Sequence, residues 1–242
     1  MVNVDTVYQK VLAIANKEQR GYITPQEFNL FANQAQVDIF GQYFYDLNRL
    51  KRMPGNDSEY VDTITNIEDK ISLFKAGPVQ IAHGHTIANV IPNQVANNWL
   101  YRLTDLYAVV SNDYANSKLI EEISYEEHNK TQTSPLTKAT YDRPVYWKKS
   151  GKIYFNGVGS GRAVIAHYIR KPLDPKWTYI VVNEKALYNP HTPDAQDFEL
   201  HISEETNLVI KILALAGVAL KNESLYQVAS VEDNKNIQQE KQ

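Results

Sequence analysis

Apolar residues at three-and-four spacing open the chain: Val4, Val7, Val11, Leu12 and Ile14 recur on one helical face before Gly21 ends or interrupts it. A second helix starts at Thr24-Pro25-Gln26-Glu27. There Thr24 caps the exposed amides, Pro25 suits the first helical position and Glu27 completes a capping box. From that start Phe28, Phe31, Ala32, Ala35, Ile39, Tyr43, Leu47 and Leu50 keep to one stripe, which predicts helix to about Met53, ahead of Pro54-Gly55. Burying each large member of the stripe contributes about 1.5–3 kcal/mol. That outweighs the roughly 1 kcal/mol cost of Gly41 within it. Tyr60, Ile64, Ile67, Ile71 and Phe74 form a third stripe, predicted helical despite β-branched residues that lower its propensity.

After Gly77-Pro78 the pattern changes to short β-branched and aromatic runs bounded by Pro, Gly, Asn and Asp. Strands are expected near Thr86–Ile91, Leu100–Val110, Leu119–Ser124, Val145–Lys148, Lys152–Phe155, Ala163–Ile169 and Thr178–Val182. The clearest hairpin turns at Lys149-Ser150-Gly151. A further hairpin is expected through Gly157-Val158-Gly159-Ser160-Gly161. Ser124-Tyr125-Glu126-Glu127 has capping-box spacing and predicts a short helix over His128–Thr131.

Residues 203–242 return to helix. Ser203-Glu204-Glu205 supplies a cap and an acidic first turn, and Leu208, Ile212, Leu215 and Ala219 form an inner stripe. Ile210, Leu213 and Val218 make this helix apolar on its other side, so it needs neighbours on several sides. The fold class expected is α+β: a discontinuous helical bundle from residues 1–76 and 203–242, with an inserted antiparallel β-rich domain over 77–202. The polar tail from Glu223 is expected to fray or to dock on a partner.

Composition narrows the function. The 242 residues carry 25 Lys plus Arg against 28 Asp plus Glu, a formal charge of -3, without the basic excess of a sustained polyanion binder. There is no cysteine, so disulfides and thiolate metal sites are excluded. The start, Met1-Val2-Asn3-Val4-Asp5, has no secretory-signal character, and no export is expected. Leu208–Leu220, the most apolar stretch, contains Lys211 and is shorter than the roughly 18 residues of a membrane span.

Candidate chemistry is sparse. Gly157, Gly159 and Gly161 lack the following helix start of a phosphate cradle. His83 and His85 would share one face of a strand, but no third ligand has a spacing to recommend it. Glu126, Glu127 and His128 lack HExxH spacing, and they read as solvated loop residues. Glu121 and Glu122 point to opposite faces of a strand and cannot flank one bond. There is no GxSxG elbow. Neither catalytic residues nor a cofactor or metal is expected.

The unusual entry in the composition is 16 tyrosines beside 7 Phe and 3 Trp. Aromatic side chains bury large area at low entropic cost and keep a polar tip, which suits interfaces, although they are also enriched in ordinary strands. Together with the surplus apolar helix surface they give the interface candidates Phe28, Phe31, Ile39, Tyr43, Tyr146, Trp147, Tyr154, Ile210 and Leu213. An alternative reading of Tyr146, Trp147, Tyr154 and Trp177 is a carbohydrate- or ligand-binding module of a tail or surface protein. A hydrolase with a composite site ranks last, since no residues propose themselves.

The segment from Asn16 to Asn29, Asn-Lys-Glu-Gln-Arg-Gly-Tyr-Ile-Thr-Pro-Gln-Glu-Phe-Asn, followed by Ala32-Asn33-Gln34-Ala35-Gln36, resembles the N-terminal segment of virion structural proteins of crAss-like and related tailed phages. Ser134-Pro135-Leu136 leading to Arg143-Pro144-Val145-Tyr146, Tyr168-Ile169-Arg170-Lys171-Pro172, and Phe198-Glu199-Leu200 before the closing helix are similar to the head-to-tail adaptor, or ring, proteins beneath the portal of short-tailed phages. The resemblance spans most of the chain through turn and edge signatures. It implies a virion structural protein, not an enzyme, assembled with itself as a ring of about twelve copies, since head-to-tail contacts that close by rotation make rings. The partners implied are the portal and other tail or ring proteins, with passage of DNA but no sequence-specific binding to it and no membrane. The location implied is the head-tail junction or tail of the virion, and the host cytoplasm during assembly.

Overall fold

A computed structural model describes residues 1–17, 23–52, 58–86, 100–110, 113–159, 162–183, 185–219 and 231. The expected break at Gly21, the stop at Pro54-Gly55, the strand residues 87–91, Gly161 and the tail from Glu223, Val231 apart, lie outside the described residues. The chain is mixed α and β. It divides into two compact units, one from residues 1–73 and 172–242, the other from residues 74–171.

The first unit is built on four helices, α1 (Val4–Lys17), α2 (Pro25–Arg52), α3 (Ser58–Ser72) and, late in the chain, α5 (Glu205–Ala219). The capping box at α2 forms as the sequence predicts. The Thr24 amide donates to Glu27 Oε2 at 2.9 Å and the Glu27 amide donates to Thr24 Oγ1 at 3.3 Å. The Thr24 amide and then its hydroxyl, both donating to Oε2, hold the Glu27 carboxyl below its usual range. On α2 the buried face carries Phe28, Ala32, Ala35, Gln36, Ile39, Phe40, Tyr43 and Phe44. α5 buries Leu208, Val209, Ile212, Leu213 and Ala216 along one broad arc and packs on both α1 and α2.

Residues 172–202, expected with the β-rich insertion, belong instead to this helical unit. The cause is a set of long-range bonds that local patterning does not display. Val2 and Phe198 exchange backbone hydrogen bonds of 3.2 and 3.1 Å, and the Val4 amide donates to Asp197 Oδ1 at 2.8 Å. Gln36, fully buried on α2, donates to the Leu173 carbonyl at 2.7 Å and accepts from the Glu199 amide at 3.0 Å. Glu199 in turn accepts from the Leu173 amide at 2.7 Å, which closes a small polar ring inside the core.

The second unit is a seven-stranded sheet. Its strands are β1 (Lys75–Ile81), β2 (His85–Thr86), β3 (Leu100–Val110), β4 (Asp113–Glu122), β5 (Val145–Lys149), β6 (Lys152–Asn156) and β7 (Arg162–Arg170). Their order is β1-β7-β3-β4-β5-β6-β2. A flat sheet of that order would put β1 and β2 about 29 Å apart, at about 4.8 Å per strand spacing. Only Ala82, His83 and Gly84 join them, a link that spans at most about 14 Å. The sheet therefore curls until its two edge strands lie within that distance of each other. Ile81, Leu106, Ile120, Tyr146, Ile153 and Val164, from six different strands, share its interior.

Two expectations about this sheet are corrected. It is not purely antiparallel, because β4 and β5 run parallel, with Glu122 opposite Tyr146. Parallel neighbours need a crossover. Here it runs through α4 (Tyr125–Gln132), the short helix foreseen near His128, whose N-cap Ser124 accepts from the Glu127 amide at 3.1 Å. Nor do β6 and β7 form a hairpin, since they are not neighbours in the sheet. Gly157 and Gly159 instead allow close packing: a Cβ on Gly157 would stand 2.5 Å from the Thr140 carbonyl oxygen, and one on Gly159 would stand 2.5 Å from the Tyr141 ring. The β5–β6 hairpin forms as expected, with Ser150 and Gly151 at φ 51° and 71°, the left-handed pair that a two-residue turn requires. At the ends of the unit, β1 pairs antiparallel with β7, and the Arg170 amide donates to the Phe74 carbonyl at 2.9 Å.

Candidate interaction surfaces

The side chains expected to serve an interface are mostly consumed within the chain. Phe28, Ile39 and Tyr43 lie on the buried face of α2, and Leu213 is buried on α5. Tyr146 turns into the sheet interior, and its hydroxyl donates to Glu122 Oε2 at 2.7 Å. Trp147 is buried beneath α4, with the His128 ring stacked on it at 3.6 Å between centroids. These six are core residues, because a stripe that follows the helical or strand period marks the inward face first. Phe31, Tyr154 and Ile210 remain half-buried. Tyr154 stacks at 5.9 Å on Trp147 and meets His83 edge-on at 5.4 Å.

The polar residues of the second unit support its structure. Burial pushes the Glu122 carboxyl up, but hydrogen bonds from Lys148 and Tyr146 and the positive charges of Lys148 and Arg102 outweigh it, so the carboxyl sits below its ordinary range. Burial first, and then the bond to Glu122, raise the Tyr146 phenol. Lys118 bonds Asp142 and lowers its carboxyl, while Arg162 and Lys118 both lie over the Tyr141 ring, at 3.9 and 4.9 Å. His83 Nδ1 accepts from the Phe155 amide at 3.3 Å. Among the described residues no group of three His, Asp or Glu is placed to hold a metal ion. Among them, too, no helix is long and apolar enough to cross a membrane.

Exposed apolar surface gathers in two places on the first unit, and neither was among the interface candidates. One is a two-stranded sheet, β8 (Tyr179–Val182) with β9 (Lys185–Tyr188), turning at Asn183, whose φ is 49°. Ile180 stands opposite Leu187, and the two are each 49 % exposed; Val182 follows on the same face, and Val181 on the other face is 67 % exposed. The base of this hairpin is held firmly. Tyr179 and Tyr188 stack on Trp177 at 5.7 and 5.8 Å, Tyr8 packs on Trp177 at 4.1 Å, and the indole Nε1 donates to Asp5 Oδ1 at 2.9 Å.

The other place is the outward side of α2, where Leu30, Val37 and Tyr45 are 70 %, 47 % and 65 % exposed. Spacings of seven and eight put them on one stripe, with Gly41 between the last two. No heavy atom lies within 4 Å of where a Gly41 Cβ would stand, so the stripe has an open notch. Single exposed apolar residues are ordinary, whereas contiguous patches of a few hundred Å² mark interaction sites. The signals were present in the sequence: a second, weaker period on α2 and the unbroken run Ile180-Val181-Val182.

No protein-family model matches this chain, and no curated protein matches it.

Proposed function

We propose that this chain is a virion structural protein, a head-to-tail adaptor whose copies form a ring between portal and tail and leave a channel for the genome. The observation that carries the reading is the pair of separate apolar surfaces on the first unit, the β8–β9 hairpin and the outer stripe of α2. A monomer that acts alone gains nothing from leaving both uncovered, whereas a ring subunit has to give one surface and receive another. In this reading the helices of residues 1–73 and 172–219 form a discontinuous bundle, and the curled sheet is a β-rich module inserted in it. The resemblance of residues 16–29 and 32–36 to phage virion proteins points the same way.

Imaging the virus particle with an antibody or a density tag on this chain tests the proposal. A ring at the head-tail junction is the expected result; a position on fibres, or absence from the particle, overturns it. The alternative of a carbohydrate-binding module rested on Tyr146, Trp147, Tyr154 and Trp177, and it is weakened because three of these four are buried.

A further inference from the structure

We infer that the β8–β9 hairpin of one copy seats on the outer stripe of α2 of a second copy, an inference that rests on the ring reading and names the contact that builds the ring. A ring of identical chains is closed by a heterologous contact, which joins two different surfaces of the same polarity. The first unit carries two such surfaces, and each has what the other lacks. The hairpin is a protrusion. Among the described residues its two strands pair only with each other, so it has open edges as well as apolar faces, and an isolated two-stranded hairpin is marginal in water. Its base is nonetheless anchored on Trp177, which makes it an arm presented in a fixed way rather than a loose loop.

The α2 stripe is the matching seat. From Leu30 to Tyr45 it runs about 22 Å at ~1.5 Å per residue. The hairpin strands are about 13 Å long at ~3.3 Å per residue, so the arm fits within the stripe. The notch over Gly41 admits a side chain such as that of Val182, which shares a face with Ile180 and Leu187, between Val37 and Tyr45. Charge agrees with the pairing. Lys185 is exposed at the tip of the arm and Asp38 is exposed beside the stripe; among the described residues neither has an ion partner, and Asp38 accepts only from Gln34 Nε2, at 2.7 Å. The area is consistent too. The three aliphatic residues on that face of the hairpin, Ile180, Val182 and Leu187, fall short of the roughly 800 Å² per partner of a stable binary complex. One contact alone is therefore weak, and closing the ring, with every copy both giving and receiving, makes the assembly hold.

The absence of native cysteine makes the test clean. A Val182→Cys/Val37→Cys double variant of the full chain, oxidised under conditions where light scattering shows association of the unmodified protein, is expected to give a ladder of disulfide-linked oligomers. A mixture of the two single variants is expected to stop at one dimer band. Val182→Cys paired with Ile14→Cys, an exposed site on α1, is expected to give no ladder. Separately, Lys185→Asp and Asp38→Lys are each expected to weaken association at least several-fold, and their combination to restore it. Disulfide dimers from Val182→Cys alone with no ladder from the double variant overturn the inference, as does a bond formed only within one chain. Association of the unmodified protein without any bond between positions 182 and 37 sinks this contact but leaves the ring reading standing. Failure to associate at all, with or without portal, sinks both.

Discussion

Asn29 on α2 makes both of its amide hydrogen bonds to the backbone of one residue, Trp177: Oδ1 accepts from the amide at 2.8 Å, and Nδ2 donates to the carbonyl at 3.1 Å. A single side chain thus plays the part of a neighbouring strand and fixes the residue on which the β8–β9 hairpin stands. Asn29→Ala leaves two backbone groups of a buried residue unpartnered, at about 1–3 kcal/mol each when water cannot reach them. Urea unfolding is expected to show a loss of about 2–4 kcal/mol. A loss below about 0.5 kcal/mol, the range of an ordinary surface substitution, would refute this role.

Gln36→Leu tests the polar ring with Leu173 and Glu199. The substitution keeps most of the volume and removes both bonds, leaving the Leu173 carbonyl and the Glu199 amide without these partners. The expected loss is roughly 2–4 kcal/mol. Equal stability of Gln36→Leu and the parent chain in the same urea experiment would show that the ring contributes nothing net.

Two glycines are expected to respond in opposite directions. Gly41→Ala adds a methyl where nothing stands within 4 Å, in the middle of a helix, and is expected to stabilise by about 0.5–1 kcal/mol. Gly157→Ala puts a Cβ against the Thr140 carbonyl at a φ of 81° and is expected to destabilise by more than about 2 kcal/mol. Thermal melts of the two variants side by side decide it; shifts of the same sign would contradict the packing described.

The Glu122 carboxyl is lowered in the folded chain, so its contribution to stability is complete above the unfolded value of about 4.3 and fades as pH falls through the lower, folded value. The group is half-exposed, and solvent screening keeps the contribution under roughly 1 kcal/mol. Urea midpoints between pH 3 and pH 7 are expected to fall less steeply on the acid side for Glu122→Gln than for the parent chain. Identical acid limbs would mean that Lys148 and Tyr146 do not favour the charged carboxylate.

Legibility in the sequence followed the range of the interactions. The start of α2 was readable because Thr24 and Glu27 act on each other within one turn, and the β5–β6 turn because Ser150-Gly151 is a local conformational preference. β1 was missed, since Gly77-Pro78 inside it looks like punctuation, and β9 because Lys185–Tyr188 has too few apolar residues to stand out. The assignment of residues 172–202 to the helical unit depends on Leu173, Trp177 and Phe198 meeting residues more than a hundred positions away. No periodicity carries that information. Burial misled in one direction: Phe28, Ile39, Tyr43 and Tyr146 looked like surplus surface because their partners on other elements were invisible, while Leu30, Val37 and Val181, which do face outward, lay off the dominant pattern.

The bond between Arg170 and Phe74 has a consequence for how such a chain can be altered. The segment between them begins and finishes at the same spot, so it behaves like a cartridge. It can be cut out and bridged by a short peptide, or exchanged for another small module with coincident ends, without stretching the backbone on either side. Natural variants that lengthen, shrink or replace this stretch wholesale, while keeping the helices intact, are what that geometry permits.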